Sequence, residues 1–316
     1  MFSQPLRIGT RGSQLALYQA NLVKEKLIQS SPRLEVTLTT IKTTGDKIQD
    51  APLAKIGGKS LFVKEIEEAL IRREIDLAVH SIKDVPTELP EGLHLSATTK
   101  REDPRDVLIS GDGRLLKDLP RGSKIGTSSL RRQAQLLHFR DDFEMIPLRG
   151  NLDTRLKKLK TMNLQGIILA YAGVKRLGLE NRITEIIPTE LSLPAIGQGA
   201  MGIETRKEEA DIDEKVRSLN DEPSAIAISA ERSFLKRLGG GCQVPIAAFG
   251  QILGPTFCID GMVGTLDGKR LIRHRMEGPL EKAEELGMEL ADFLLNQGAG
   301  EILEEVYRKS IPSIQI

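Results

Sequence analysis

The sequence predicts an α/β protein made of two α/β units and a smaller α+β segment. Three observations predict it. Short runs of strand character alternate with helix-period runs over the first two-thirds of the chain. A charged break ending in proline, Lys100-Arg101-Glu102-Asp103-Pro104, splits that alternation into two series. From about Pro223 the pattern changes to a helix, three clustered strands and a final helix.

In the first series, Leu6 to Thr10 is a short strand. Ser13 is placed to cap a helix whose Ala16, Ala20, Val23 and Leu27 share one face. Leu34 to Ile41 alternates as a half-buried strand does. Lys42 to Ser60 has no periodicity and carries Gly45, Pro52, Gly57 and Gly58, so it reads as one long loop, of the kind that is often functional. Phe62, Ile66, Ala69 and Leu70 mark the next helix, and strands follow at Asp76–Ser81 and Leu93–Thr98.

In the second series, strands at Lys124–Thr127, Glu144–Leu148 and Gly166–Ala170 each lead into a helix. A proline-flanked segment, Pro188 to Pro194, ends it, and Gly199 to Thr205 is one more strand. Alternation of this kind implies parallel sheets with helices on both faces. The last segment has a helix to Leu238, strands near 247–253, 256–263 and 271–276, and a helix with Ala283, Leu286, Leu290 and Leu294 on one face. The predicted division is 1–99 with 200–219, then 105–193, then 222–316, with hinges near 100–104 and 194–199.

Composition narrows the function. The 316 residues suffice for two or three domains, and charged residues nearly cancel to a net charge of +1. Aromatics are 3% and there is no Trp. Neither a basic excess nor a stacking platform for bases is present, so no nucleic-acid partner is expected. No apolar run approaches the roughly 20 residues of a membrane span. With no leader-like start and two cysteines sixteen positions apart, the chain reads as cytoplasmic, and no metal site is expected.

Two nucleotide motifs are decoys. Gly58-Lys59-Ser60 lacks the earlier glycine of a phosphate-binding loop, since Leu53 stands there. Gly197-Gln198-Gly199-Ala200-Met201-Gly202 fits GxGxxG without the strand-before, helix-after setting, and a hinge is the preferred reading.

The basic residues recur where predicted strands end and helices start. Arg11 and Ser13 flank the first turn, and Lys55 and Lys59 lie in the long loop. Lys83 follows a strand. Thr127, Ser128, Ser129, Arg131 and Arg132 form another such turn, Arg149-Gly150-Asn151 with Arg155 a third, and Arg176 follows the last strand of the series. Helix N-termini there present free N–H groups, and Arg recognises carboxylates or phosphates with two parallel bonds. The expected ligand is a polyanion held at the carboxyl ends of the strands. Any one of these cations taken alone reads equally as a solvated surface group.

Asp84, in Val79-His80-Ser81-Ile82-Lys83-Asp84-Val85-Pro86, is either a turn former before Pro86 or an acid–base group beside the cations. Cys242 ends Gly239-Gly240-Gly241-Cys242, a turn stripped of side chains. It is a nucleophile or a covalent tether, and the residues alone leave both open.

Together these segments resemble the porphobilinogen deaminase (hydroxymethylbilane synthase) family. The resemblance rests on Ile8-Gly9-Thr10-Arg11-Gly12-Ser13-Gln14-Leu15-Ala16, Gly57-Gly58-Lys59-Ser60-Leu61-Phe62, His80-Ser81-Ile82-Lys83-Asp84-Val85-Pro86, Gly126-Thr127-Ser128-Ser129-Leu130-Arg131-Arg132, Leu148-Arg149-Gly150-Asn151, Gly197-Gln198-Gly199 and Gly239-Gly240-Gly241-Cys242-Gln243-Val244-Pro245. After Pro245 the match is only general, and Gly239 stands where many members have an acidic residue.

The resemblance implies two lobes similar to type II periplasmic binding proteins, crossed twice by the chain, plus a small third domain. It implies a monomeric transferase of tetrapyrrole biosynthesis with one dipyrromethane cofactor per chain, joined by a thioether to Cys242. Four porphobilinogens are added head to tail with loss of ammonia, and water then releases linear hydroxymethylbilane. By the same resemblance Asp84 is catalytic. Lys83, Ser129, Arg131, Arg132, Arg155, Thr127, Ser128, Gly150 and Asp46 hold the cofactor. Arg11, Ser13, Arg149, Arg176, Gln198, Gly199, Lys55, Lys59 and Phe62 serve the substrate, with Phe62 read equally as a core position on its helix. Two rival readings are a two-lobe anion-binding protein without chemistry and a thiol hydrolase using Cys242. The latter lacks an evident His partner.

Overall fold

The structure, a computed structural model, describes residues 5–47, 61–240 and 244–310. In chain order the first elements are β1 (Leu6–Thr10), α1 (Gln14–Ser30), β2 (Val36–Thr40), α2 (Thr44–Lys47), α3 (Lys64–Ile71), β3 (Leu77–Ser81) and β4 (Leu93–Thr98). Next come β5 (Asp106–Ser110), β6 (Lys124–Gly126), α4 (Leu130–Phe139), β7 (Glu144–Ile146), α5 (Leu152–Thr161), β8 (Gly166–Ala170), α6 (Tyr171–Arg176) and β9 (Glu185–Ile186). The rest are β10 (Met201–Arg206), α7 (Ala210–Arg217), α8 (Glu222–Arg237), β11 (Ile246–Leu253), β12 (Thr256–Gly264), β13 (Leu271–Pro279), α9 (Ala283–Leu294) and α10 (Gly300–Ser310).

The described residues form two compact units. One takes residues up to 102 and 199–225; the other takes 103–198 and everything from 226. The first unit holds a five-stranded sheet in the order β2-β1-β3-β10-β4. The second holds two sheets, one in the order β7-β6-β8-β5-β9 and the three-stranded β11-β12-β13.

The parallel pairing expected from the alternation holds for part of each sheet, and the rest is antiparallel. β1 is parallel to β2 and β3, but β10 runs antiparallel to both β3 and β4. Likewise β6 is parallel to β7 and β8, while β5 is antiparallel to β8 and β9. A βαβ crossover forces parallel pairing. β10 enters its sheet from a distant part of the chain, so no such crossover sets its direction. The single loop expected over 42–60 is also interrupted at its start, because α2 occupies Thr44–Lys47.

Local chemistry fixes the helix starts that matter for function. Ser13, Ser129 and Asn151 are the N-caps of α1, α4 and α5, accepting from the backbone N–H of Ala16, Arg132 and Thr154 respectively. Central strands are covered on both faces, as their continuous apolar runs require. Val107, Ile109, Ile167 and Leu169 pack on one face of the second unit's larger sheet, and Leu108, Ile125 and Ile168 on the other. In the three-stranded sheet, Phe257, Ile259 and Val263 pack against Phe234 and Leu290. Each such side chain contributes roughly 1.5–3 kcal/mol on burial.

His80 of β3 lies buried, with Nε2 2.9 Å from Glu204 Oε2 of β10. Glu67 of α3, only 4% exposed, lies in the same interior. Burial first, and the Glu204 charge second, push the Glu67 carboxyl up to about 7, against the pull of His80. A carboxyl raised on folding contributes stability that is fully present below its unfolded value, 4.5, and is lost as pH rises through about 7. The wild type should therefore lose at most about 3 kcal/mol relative to Glu67→Gln between these limits, with no further loss above. Denaturant unfolding of both proteins across that pH range checks it, and parallel curves would contradict it.

Candidate functional site

In the first unit, four predicted site residues, Arg11, Ser13, Asp46 and Phe62, gather around the turn after β1 and the approach to α3. Arg11 pairs with Asp46 through Nη2, and its Nε lies 3.2 Å from Asp46 Oδ1. The Arg11 guanidinium also stacks over the Phe62 ring, 4.3 Å from its centre. Asp46 accepts from the Thr43 hydroxyl at 2.8 Å. Burial raises the Asp46 carboxyl, but its bonds to Arg11 and Thr43 outweigh this and hold it below the ordinary range. Ser13 is half-buried at its cap position beside Arg11.

Phe62 is not on a helix. α3 starts at Lys64, and Phe62 sits half-buried in the preceding turn, where its ring fills the space beside Gly45. Thr44 donates from its N–H to Glu65 Oε1 at 2.8 Å, and Gly45 N–H donates to Leu61 O at 2.8 Å. These bonds hold α2, and with it Asp46, against the turn that carries Phe62.

Lys83 and Asp84 occupy a single 3₁₀ turn, Ile82–Asp84, that leaves the end of β3. Ile82 is buried and anchors the turn, which leaves the two charged side chains half-buried. Val85 N–H donates to Ile82 O at 2.9 Å and closes it. Among the described residues the Asp84 carboxylate has no hydrogen-bond or ion-pair partner.

In the second unit, the turn from β6 to α4 carries Thr127, Ser128 and Ser129. Ser128 Oγ donates to Leu148 O at 3.0 Å, and Ser129 N–H donates to Thr127 Oγ1 at 3.2 Å. The next turn carries Arg149 and Gly150, and Gly150 adopts φ 114° to enter α5. Arg155 Nε donates to Gly150 O at 2.8 Å. Arg176 differs from the other predicted cations: it ends the six-residue α6 rather than starting a helix, because Tyr171 to Val174 already continue β8 into that turn.

The sequence reading missed Asp106, the first residue of β5. It is fully buried and gathers three predicted site residues. Arg131 Nη1 lies 2.9 Å from its Oδ2, Arg132 Nη2 donates to Oδ1 at 2.7 Å, and Gln198 Nε2 donates to Oδ1 at 2.9 Å. Ser192 Oγ donates to Oδ2 at 3.2 Å. Burial would raise the Asp106 carboxyl, but the Arg131 and Arg132 charges and their bonds hold it well below the usual carboxylate range. Arg131 and Arg132 are 5% and 6% exposed, and their Nε–H groups are buried without a partner among the described residues. A carboxylate opening the apolar run Val107-Leu108-Ile109 was the available signal, and it reads as a surface residue until its partners are known.

Glu231 of α8, also buried, accepts from Gly197 N–H at 2.7 Å and Gly250 N–H at 2.9 Å. It fixes the backbone just before Gln198. Gly199 adopts φ +100°, and a Cβ there would lie 2.4 Å from Glu102 O. Gly199→Ala should therefore destabilise the protein by about 1–3 kcal/mol, read by chemical unfolding. An unchanged midpoint would show that the segment relaxes freely. The GxGxxG match at 197–202 runs into β10, not into a helix, so it lacks the geometry of a dinucleotide site.

Lys55, Lys59 and Cys242 lie outside the described residues. The other cysteine, Cys258, is 3% exposed in the central strand β12. No helix among the described residues is long and apolar enough to cross a membrane. Nor do they contain a group of three or more His, Cys, Asp or Glu that could hold a metal ion.

Comparison with known proteins gives a consistent match. The family profile described as "Porphobilinogen deaminase, dipyromethane cofactor binding domain" matches residues 6–214, and "Porphobilinogen deaminase, C-terminal domain" matches residues 225–296. The porphobilinogen deaminase of Geotalea uraniireducens is 55% identical over 311 residues, 98% of each chain. That of Pelobacter propionicus is 55% identical over 306 residues, 97% of this chain and 98% of its own. Among solved structures, the periplasmic aliphatic sulphonate binding protein of Escherichia coli aligns with a TM-score of 0.39 and 15% identity, over 74% of this chain and 70% of that one. The strand orders given above, rather than that distant likeness, define the fold.

Proposed function

The chain belongs to the porphobilinogen deaminase family, and from that premise we propose how its own residues carry the reaction. The activity is head-to-tail condensation of porphobilinogen in tetrapyrrole synthesis, with loss of ammonia and final hydrolysis to linear hydroxymethylbilane. The matched N-terminal domain is the one that binds the dipyrromethane cofactor.

The residues present fit that group. A dipyrromethane is a compact polycarboxylate with pyrrole N–H donors. Two buried guanidiniums keep Nε–H groups without partners among the described residues, at the capped start of α4. Arg131, Arg132, Lys83 and Arg155 would hold its carboxylates, and Thr127, Ser128, Ser129 and Gly150 would shape the backbone around them. When bound, it supplies the pyrrole carbon from which the chain grows. Cys242 is the proposed anchor: burial of Cys258 in β12 removes the only competing thiol.

Arg11, Arg149 and Arg176 would bind the acetate and propionate of incoming porphobilinogen. Bonds to such charged groups contribute about 1.5–3 kcal/mol each. Phe62, stiffened by Arg11, would offer one ring face to a pyrrole. Asp84 would balance the positive charge that develops on substrate as ammonia departs, and would exchange a proton at the pyrrole nitrogen. The observation that most supports this role is its carboxylate, held half-buried on a short turn with no partner among the described residues. Capture of anions without chemistry is the disfavoured alternative.

Purified protein should release one ammonia per porphobilinogen consumed and form one linear tetrapyrrole for every four, read by ammonia assay and mass spectrometry. Binding of porphobilinogen without ammonia release would overturn the reading. We also propose the three-domain division, with residues 222–316 as the domain that carries the anchor.

A further inference from the structure

Asp106 belongs to none of the groups assigned above, yet it joins more of the second unit's predicted binding residues than any other side chain described. It heads β5, where it pairs in register with Ala170 of β8. Its two carboxylate oxygens divide the work. Oδ1 takes Arg132 and Gln198, and Oδ2 takes Arg131 and Ser192. Arg132 Nη1 donates to Ile168 O at 2.9 Å, and Arg131 Nη1, the nitrogen that also meets Asp106, donates to Leu193 O. Gln135 then links Leu193 back to α4, accepting from its N–H at 2.7 Å. Both guanidiniums are thus held through Nη nitrogens at their far ends, and among the described residues their buried Nε–H groups have no partner.

The charge count is uneven. Two guanidiniums share one buried carboxylate, so the cluster carries a net positive charge in the interior. Buried charge without a counter-charge is unfavourable, and a bound carboxylate would relieve it. We propose that Asp106 is a positioning residue: it fixes Arg131 and Arg132 in the orientation that holds the cofactor's carboxylates, and leaves the cluster one negative charge short until the cofactor is in place. This rests on the reading of Arg131 and Arg132 given under the proposed function.

The test uses the full chain produced in cells that make porphobilinogen. Wild type, Asp106→Asn and Asp106→Ala are compared for unfolding midpoint, for the fraction of molecules with a two-pyrrole mass excess, and for turnover per loaded molecule. Both variants should load at least five-fold less and turn over at least ten-fold more slowly per loaded molecule, with KM rising less than kcat falls. Formate, small enough for the space vacated in Asp106→Ala, should restore turnover at least three-fold where equal chloride does not. A merely structural pair would not respond to formate in this selective way.

Variants that load and turn over within two-fold of wild type would overturn the proposal, and so would a loss that formate and chloride affect alike. Should both variants be insoluble, Ser192→Ala keeps the charge and removes one anchor of Asp106. It should load about three-fold more slowly at an unchanged unfolding midpoint, and wild-type loading would count against the proposal. A wild type that neither carries the mass excess nor consumes porphobilinogen would instead overturn the functional reading itself.

Discussion

Asp84→Asn should keep the two-pyrrole mass excess and lose at least about 100-fold in porphobilinogen turnover, close to 2.7 kcal/mol of transition-state stabilisation. The substitution conserves shape on the turn Ile82–Asp84, whose position is set by buried Ile82 and by the Val85–Ile82 backbone bond. What it removes is negative charge and a proton acceptor. Folding and cofactor attachment draw on other residues, so they should survive. KM should change little compared with kcat, since substrate carboxylates are assigned to arginines. Ammonia release at the wild-type rate by a fully loaded variant would refute the role given to Asp84.

Cys242→Ser should abolish the mass excess altogether and reduce turnover by a similar or larger factor. Cys258→Ala should retain both. A serine oxygen in place of the thiol that follows Gly239-Gly240-Gly241 in the sequence is a poor substitute for a thiolate nucleophile. Cys258 packs between neighbouring strands, where a smaller side chain affects stability more than chemistry. An adduct that stays on Cys242→Ser, or one that disappears from Cys258→Ala, would move the anchor.

Much of the fold was legible because single segments carry it. β1, β4 and β8 fall where the short strand-like runs placed them, and α1 begins just after the serine expected to cap it. The missed strands had no such local signal. β9 is two residues long, and β5 opens on a charged residue directly after the break at 100–104. Their antiparallel direction is a property of long-range pairing and leaves no mark on neighbouring residues. The expected binding turns could be recognised from serine, arginine and glycine at helix starts. The partners of those residues could not. That Arg11 meets Asp46 and Phe62, and that Arg131 and Arg132 share Asp106, depends on approach across 25 to 51 positions of chain. Helix-face reasoning misplaced Phe62 for a similar reason. It fits the apolar spacing of α3, but the helix begins two residues later and the ring turns toward Gly45.

The place of β10 has a consequence for how the protein is made. It lies between β3 and β4, yet it is synthesised about a hundred residues after them. A nascent chain that has emerged only as far as residue 200 leaves both of those strands with an unpaired edge, an invitation to mispairing. The sheet of β5 to β9, by contrast, is complete once residue 186 is out. Vectorial synthesis thus lets the later sheet close while the earlier one waits. A ribosome pause between 98 and 201, or a truncation there, would expose an open sheet for chaperones or aggregation to find.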